Sequence, residues 1–132
     1  MSTTAMLETH PSTATVDRTA LARAIDATLT CSQTCTACAD ACLAEPDVAE
    51  MARCIRDDLD CADVCQTTSR VLTRQTAGDP QLTRAVLEVC IQACSVCAAS
   101  CNEHRDHHEH CRICADTCEA CGQACRALLH AL

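Results

Sequence analysis

Phenylalanine, tyrosine and tryptophan are absent from this sequence. A core built on aromatic rings is therefore excluded, as is a surface of basic residues interleaved with stacking aromatics. Glycine occurs twice and proline three times, too few for the loop-rich, cross-linked fold that a high cysteine content usually signals. The opening stretch, MSTTAMLETHPSTATVDR, has no apolar segment of the kind a secretory signal carries. No apolar run approaches the length of a membrane span. The net charge of −8 disfavours nucleic acid as a partner. Together these absences lead us to expect a cytoplasmic protein in a reducing compartment, with neither membrane nor nucleic acid as partner.

What the chain has instead is cysteine, sixteen in 132 residues. Nine of them fall in residues 90–125, CIQACSVCAASCNEHRDHHEHCRICADTCEACGQAC, at intervals of four, three, four, ten, three, four, three and four. Alternation of three and four is the repeat of one helix face. The ten-residue interval holds four of the six histidines.

In chain order, residues 1–15 read as a flexible polar tail and residues 16–132 as one domain. A first helix is expected from Thr15 or Val16 to Leu43 or Ala44, carrying Cys31, Cys35, Cys38 and Cys42. At about 100° per residue these four thiols share a sector of roughly 60°. Pro46 and Asp47 are expected to open a second helix with Met51, Cys54, Cys61 and Cys65. Gly78 reads as a stop, and Asp79-Pro80 as a cap with a first-turn proline. The third helix carries Cys90, Cys94, Cys97 and Cys101. Asp106-x-x-Glu109 reads as a capping box for the fourth, which holds Cys111, Cys114, Cys118, Cys121 and Cys125.

The chain also repeats. The first cysteine quartet recurs 59 residues on, and Cys54, Cys61 and Cys65 recur 60 on as Cys114, Cys121 and Cys125. Asp58 and Met51 stand where the second copy has Cys118 and Cys111. The expected fold is all-α, an up-down-up-down antiparallel four-helix bundle built from a duplicated helical hairpin. Antiparallel packing gathers Leu21, Ile25, Val71, Leu72, Leu82, Val86, Leu128 and Leu132 at one end. It gathers Cys42, Met51, Cys54, Cys101, His104, His107, His108, His110 and Cys111 at the other. The result is a tube plugged with hydrocarbon at one end and rimmed with metal-binding side chains at the other.

Cysteine as a small buried hydrophobe does not account for so many thiols in one phase. Disulfides within a helix are disfavoured, because Cβ atoms at i and i+4 lie about 5–6 Å apart and a disulfide wants roughly 3.5–4.5 Å, while bonds between helices stay open. Soft thiolates in long rows suit Cu(I), with methionine and histidine at the mouth as further copper ligands. Buried thiolates also need compensating charge, and one monovalent copper per thiolate supplies it. Loading on the order of one Cu(I) per cysteine is therefore expected. Two alternatives stay open at this point. One is a thiol–disulfide oxidoreductase using Cys111-x-x-Cys114; the other is a zinc or mixed-metal thiolate buffer.

The helical CxxxCxxCxxxC stripes, the doubled hairpin and the histidine-rich turn resemble the bacterial copper storage proteins, and the opening stretch resembles their cytosolic branch. The resemblance spans about residues 16 to 132. It implies a non-enzymatic, homotetrameric store of Cu(I), with copper entering at the His/Met end and a copper chaperone or client cuproenzyme as candidate partner. Carried over by position, the sixteen cysteines match core ligands, and His104, His108, His110 and Met51 match residues of the mouth. Asp58, inferred from the repeat rather than the resemblance, is a further candidate ligand; the alternatives are a buried acid bonded to a neighbour, or a side chain pointing aside while Asp57 faces solvent. His104, His108 and one of His110 or His107 are expected to converge with Cys111, the alternative being that the set is solvated turn residues; His107 is expected outside, and His130 at a helix C-terminus away from the site.

Overall fold

The structure is a computed structural model that describes residues 2–12 and 16–132. Its helices are α1 (Thr3–Thr9), α2 (Arg18–Leu43), α3 (Ala52–Thr73), α4 (Pro80–Asn102) and α5 (Glu109–Ala131), with a 3-10 turn at Val48–Met51 and no strand among the described residues. Helices α2–α5 form a ring in which each packs on its chain neighbour and α5 closes against α2. This is the expected up-down-up-down bundle.

Local chemistry explains where the helices start. The Asp17 carboxylate accepts from the backbone N–H of Thr19 and Ala20 at 3.0 and 3.1 Å, capping α2. Asp79 does the same for α4 through Gln81 and Leu82, with Pro80 in the first turn as expected. The first helix was expected from Thr15, which lies outside the described residues, or Val16, and begins at Arg18; the starts of α3 and α5 differ from expectation too. After Pro46 the chain makes i→i+3 bonds, Val48 N–H to Glu45 and Glu50 N–H to Asp47, so α3 begins only at Ala52. Asp106 does not cap α5. The turn continues past it through His107 N–H and His108 N–H, both bonded to the His104 carbonyl, and His108 takes the cap position. Gly78 is not the stop for α3 either: that helix ends at Thr73, and the left-handed residue of the loop is Ala77, φ 56°.

Residues 1–15 were expected as a tail, but Thr3–Thr9 is helical. Leu7 of α1 is buried, and the Thr3 hydroxyl donates to Asp26 of α2 at 2.6 Å. The apolar plug is Leu21, Ile25, Leu72, Leu87 and Leu128, all buried. Leu82 was expected there and is 56% exposed. At about 100° per residue it lies about 90° from the centre of the α4 thiol stripe, whereas Leu87 lies closer to it. Val71 and Val86 are half-buried, and Leu132 is exposed.

By length and composition α4 is the one described helix that could span a membrane. Cysteine counts as apolar in that composition, and the four of α4 are buried in the bundle.

Truncating Leu87 should remove a plug residue that nothing nearby replaces. Leu87→Ala is expected to lower stability by about 3 kcal/mol in urea unfolding under reductant; a loss under 1 kcal/mol on that scale would mean this end is loosely packed. Ala77→Gly is expected to raise stability by up to about 1 kcal/mol by relieving the left-handed alanine, read in the same titration.

Candidate metal centre

All sixteen cysteines are free, and none is more than 2% exposed. Each stripe faces the bundle axis because its three-and-four spacing keeps it in phase with the helix. Four stripes meeting on one axis bring thiols from every helix together. Cys31, Cys65, Cys94 and Cys121 contribute one sulfur from each of α2, α3, α4 and α5, all within 4.8 Å of one another.

The quartets overlap along the axis. Near the plug, Cys90 Sγ lies 3.8 Å from Cys65 and 3.9 Å from Cys125. Next come Cys31, Cys35, Cys61 and Cys118, with Cys35 and Cys118 3.6 Å apart. Cys35 and Cys118 then join Cys97 and Cys114 in a further quartet. Cys38 and Cys54 serve twice, once with Asp58 and Cys101 and once with Cys42 and Cys111. The closest pair is Cys54 and Cys101, 3.5 Å apart across α3 and α4.

Distance alone does not select a metal here. A tetrahedral zinc with bonds of about 2.3 Å has sulfurs roughly 3.8 Å apart, close to these separations. The quartets also share members: Cys31, Cys35, Cys38, Cys54 and Cys118 each belong to at least two, so ions filling adjacent quartets would have to share thiolates. Bridging thiolates suit a soft, monovalent ion packed in number along the axis.

Asp58 points inward and is fully buried. Its Oδ1 accepts from the thiols of Cys97, Cys101 and Cys114 at 3.0, 3.3 and 3.3 Å. Burial, and then charge on Cys114, pushes its carboxyl up to about 8. It occupies the thiol's place in the first hairpin and sits among thiols of α4 and α5. Its neighbour Asp57 is also largely buried, held by Arg53 Nε at 2.9 Å and by the Ser100 hydroxyl.

At the mouth, one histidine reaches the thiols. His110 Nδ1 lies 3.5 Å from Cys38 Sγ, 3.6 Å from Cys111 and 4.0 Å from Cys42. His108 stacks on it, ring centres 5.4 Å apart, and is held by carboxylates at both nitrogens: Nδ1 by Glu45 and Nε2 by Asp47 at 3.1 Å. Asp47 first, and then the charge of Glu45, raises the His108 pKa, while the same contact lowers that of Asp47. His104 lies one ring further out, 6.4 Å from His108. His107 is exposed, as expected, and so is His130 at the far end of α5. Met51 is fully buried at the start of α3. Cys42 and Cys111 are pushed up by burial first and by neighbouring thiolate charge second, Cys111 to about 12. Asp47 was expected only to open the second helix, and Glu45 precedes it in the turn.

Asp58 generates a pH prediction. Its folded pKa lies above its unfolded value of about 3.9, so its contribution is fully present below that value and is lost as pH rises through about 8. His108, also raised, acts in the same direction and is common to wild type and variant. Apo wild type should therefore lose up to about 1.4 kcal/mol more per pH unit across this window than Asp58→Asn, measured by denaturant unfolding at several pH values under reductant.

A family model described as Copper storage protein matches residues 17–130. The copper storage protein Ccsp from Streptomyces lividans, solved loaded with 10 copper equivalents, superposes with a TM-score of 0.97 at 51% identity, covering 98% of this chain and 99% of that one. A structure of a cytosolic copper storage protein from the same organism with five coppers gives a TM-score of 0.85 at 54% identity over 86% of this chain and 95% of its own. The uncharacterized cysteine-rich protein YhjQ of Bacillus subtilis (strain 168) is 32% identical over 104 residues, 79% of this chain and 91% of that protein.

Proposed function

This chain belongs to the copper storage protein family, and we propose that it stores Cu(I) in number on the thiolates of its bundle core, in the cytosol. The observation that carries the reading is the unbroken column of free, buried thiols grouped in overlapping quartets. Charge supports copper over zinc. Four Zn²⁺ with four thiolates each would use all sixteen and leave eight negative charges in the core, whereas one Cu(I) per thiolate leaves none. Residues 16–132 form the storage domain on this reading, and α1 is an accessory to its closed end.

The roles then divide by position. The sixteen cysteines are the ligands. Asp58 is an oxygen donor or proton holder among Cys97, Cys101 and Cys114. His110 receives copper first, since its Nδ1 alone among the mouth histidines faces thiols. His104 and His108 line the approach, and Met51 backs it. Copper moves inward by exchange between neighbouring thiolates. A homotetramer and a copper chaperone or client enzyme as exchange partner complete the reading. The oxidoreductase alternative needs an accessible, acidic thiol. Cys111 and Cys114 are both fully buried, so neither thiol is accessible.

Titration of reduced apo protein with Cu(I) against a competing chelator is expected to saturate on the order of one ion per cysteine. Saturation at two or three ions would overturn the reading. Replacing His104, His108 and His110 together with alanine is expected to slow uptake several-fold, on the order of the loss seen for outer ligands, while final loading stays close to wild type. Unchanged uptake kinetics in that variant would remove the histidines from the path.

A further inference from the structure

We propose that Glu45 is a positioning residue for copper capture, holding the His110 ring proton on Nε2 so that the bare Nδ1 faces the thiols of Cys38, Cys42 and Cys111. The inference rests on reading the core as a copper store and deepens it at the mouth.

Glu45 lies in the turn after α2, on the opposite hairpin from His110. Its Oε2 is 3.3 Å from His110 Nε2. A carboxylate offers acceptors and no donor, so the nitrogen facing it carries the hydrogen. In a neutral imidazole the other nitrogen then has its lone pair free. That nitrogen, Nδ1, is the one within 3.5–4.0 Å of three sulfurs. A carboxylate behind a histidine is the usual means of setting tautomer, ring direction and ligand basicity at a metal site.

Two further contacts single out Glu45. The same Oε2 also meets His108 Nδ1, so one carboxylate holds both stacked rings. Asp47 reaches only His108, through Nε2. The Glu45 backbone is independently committed to the turn, its N–H bonded to the Cys42 carbonyl and its carbonyl to Val48 N–H. Side-chain substitution therefore leaves the turn's own bonds in place.

The test reads the proton directly. In apo protein labelled with ¹⁵N-histidine, long-range ¹H–¹⁵N correlation at neutral pH should show His110 as the Nε2–H tautomer in wild type. Glu45→Gln keeps an acceptor at the same reach and should retain that tautomer. Glu45→Ala should shift the ring toward a mixture with Nδ1–H. In stopped-flow transfer of Cu(I) from a weak chelator, Glu45→Ala should slow the first phase about tenfold, with Glu45→Gln within about twofold of wild type. Final loading should not change. An unaltered tautomer in Glu45→Ala overturns the proposal, and so does a shifted tautomer with an unaltered first phase. Wild-type saturation at two or three ions would count against the storage reading alone, since the tautomer is read on metal-free protein.

Discussion

A thiol can be buried cheaply, but a thiolate cannot, and this chain places sixteen potential thiolates on one axis. Protonated, they pack as small hydrophobes and hold the bundle closed. Ionised, they require a positive charge apiece. The core is thus free of uncompensated charge in either of two conditions, every thiol protonated or every thiolate matched by a monovalent ion. The upward push on Cys42 and Cys111 has this origin, and so does that on Asp58. Copper and protons compete for the same column.

The same constraint explains what the chain does without. Aromatic rings would fill the axis and separate the sulfurs. The fully buried leucine and isoleucine side chains gather at the plug, where Leu21, Ile25, Leu72, Leu87 and Leu128 close the column in hydrocarbon. Each bundle helix therefore divides its length between two kinds of core. The thiol part supplies chemistry, and the leucine part supplies packing at one end.

Most of this was legible in the residues. Three-and-four cysteine spacing sets both the helix and its inward face, so the stripes follow from periodicity, and the bundle and its plugged polarity follow once the turn signals make successive helices antiparallel. The inward direction of Asp58 was legible from its partner Cys118 in the repeat. What periodicity does not reach lies in the turns. Asp106 fits a capping box by spacing, yet backbone bonds to His104 carry the turn on to His108. Leu82 is apolar and near the correct end, but its phase turns it outward. Glu45 and Asp47 belong to one hairpin and the histidines to the other, so their pairing is a product of tertiary packing. Had the two turns at the mouth been read against each other as the cysteine stripes were, acid facing histidine would have been the signal.

The leucine plug has a consequence for the order of traffic. A vessel with one opening is a stack rather than a queue: whatever goes in last comes out first. On the proposed reading, with copper entering at the histidine end, ions held by Cys65, Cys90 and Cys125 would be the oldest inventory, exchanged only after the ranks above them had cleared. Such a protein would answer a brief demand for copper from the shallow ranks and keep its deep reserve for sustained shortage.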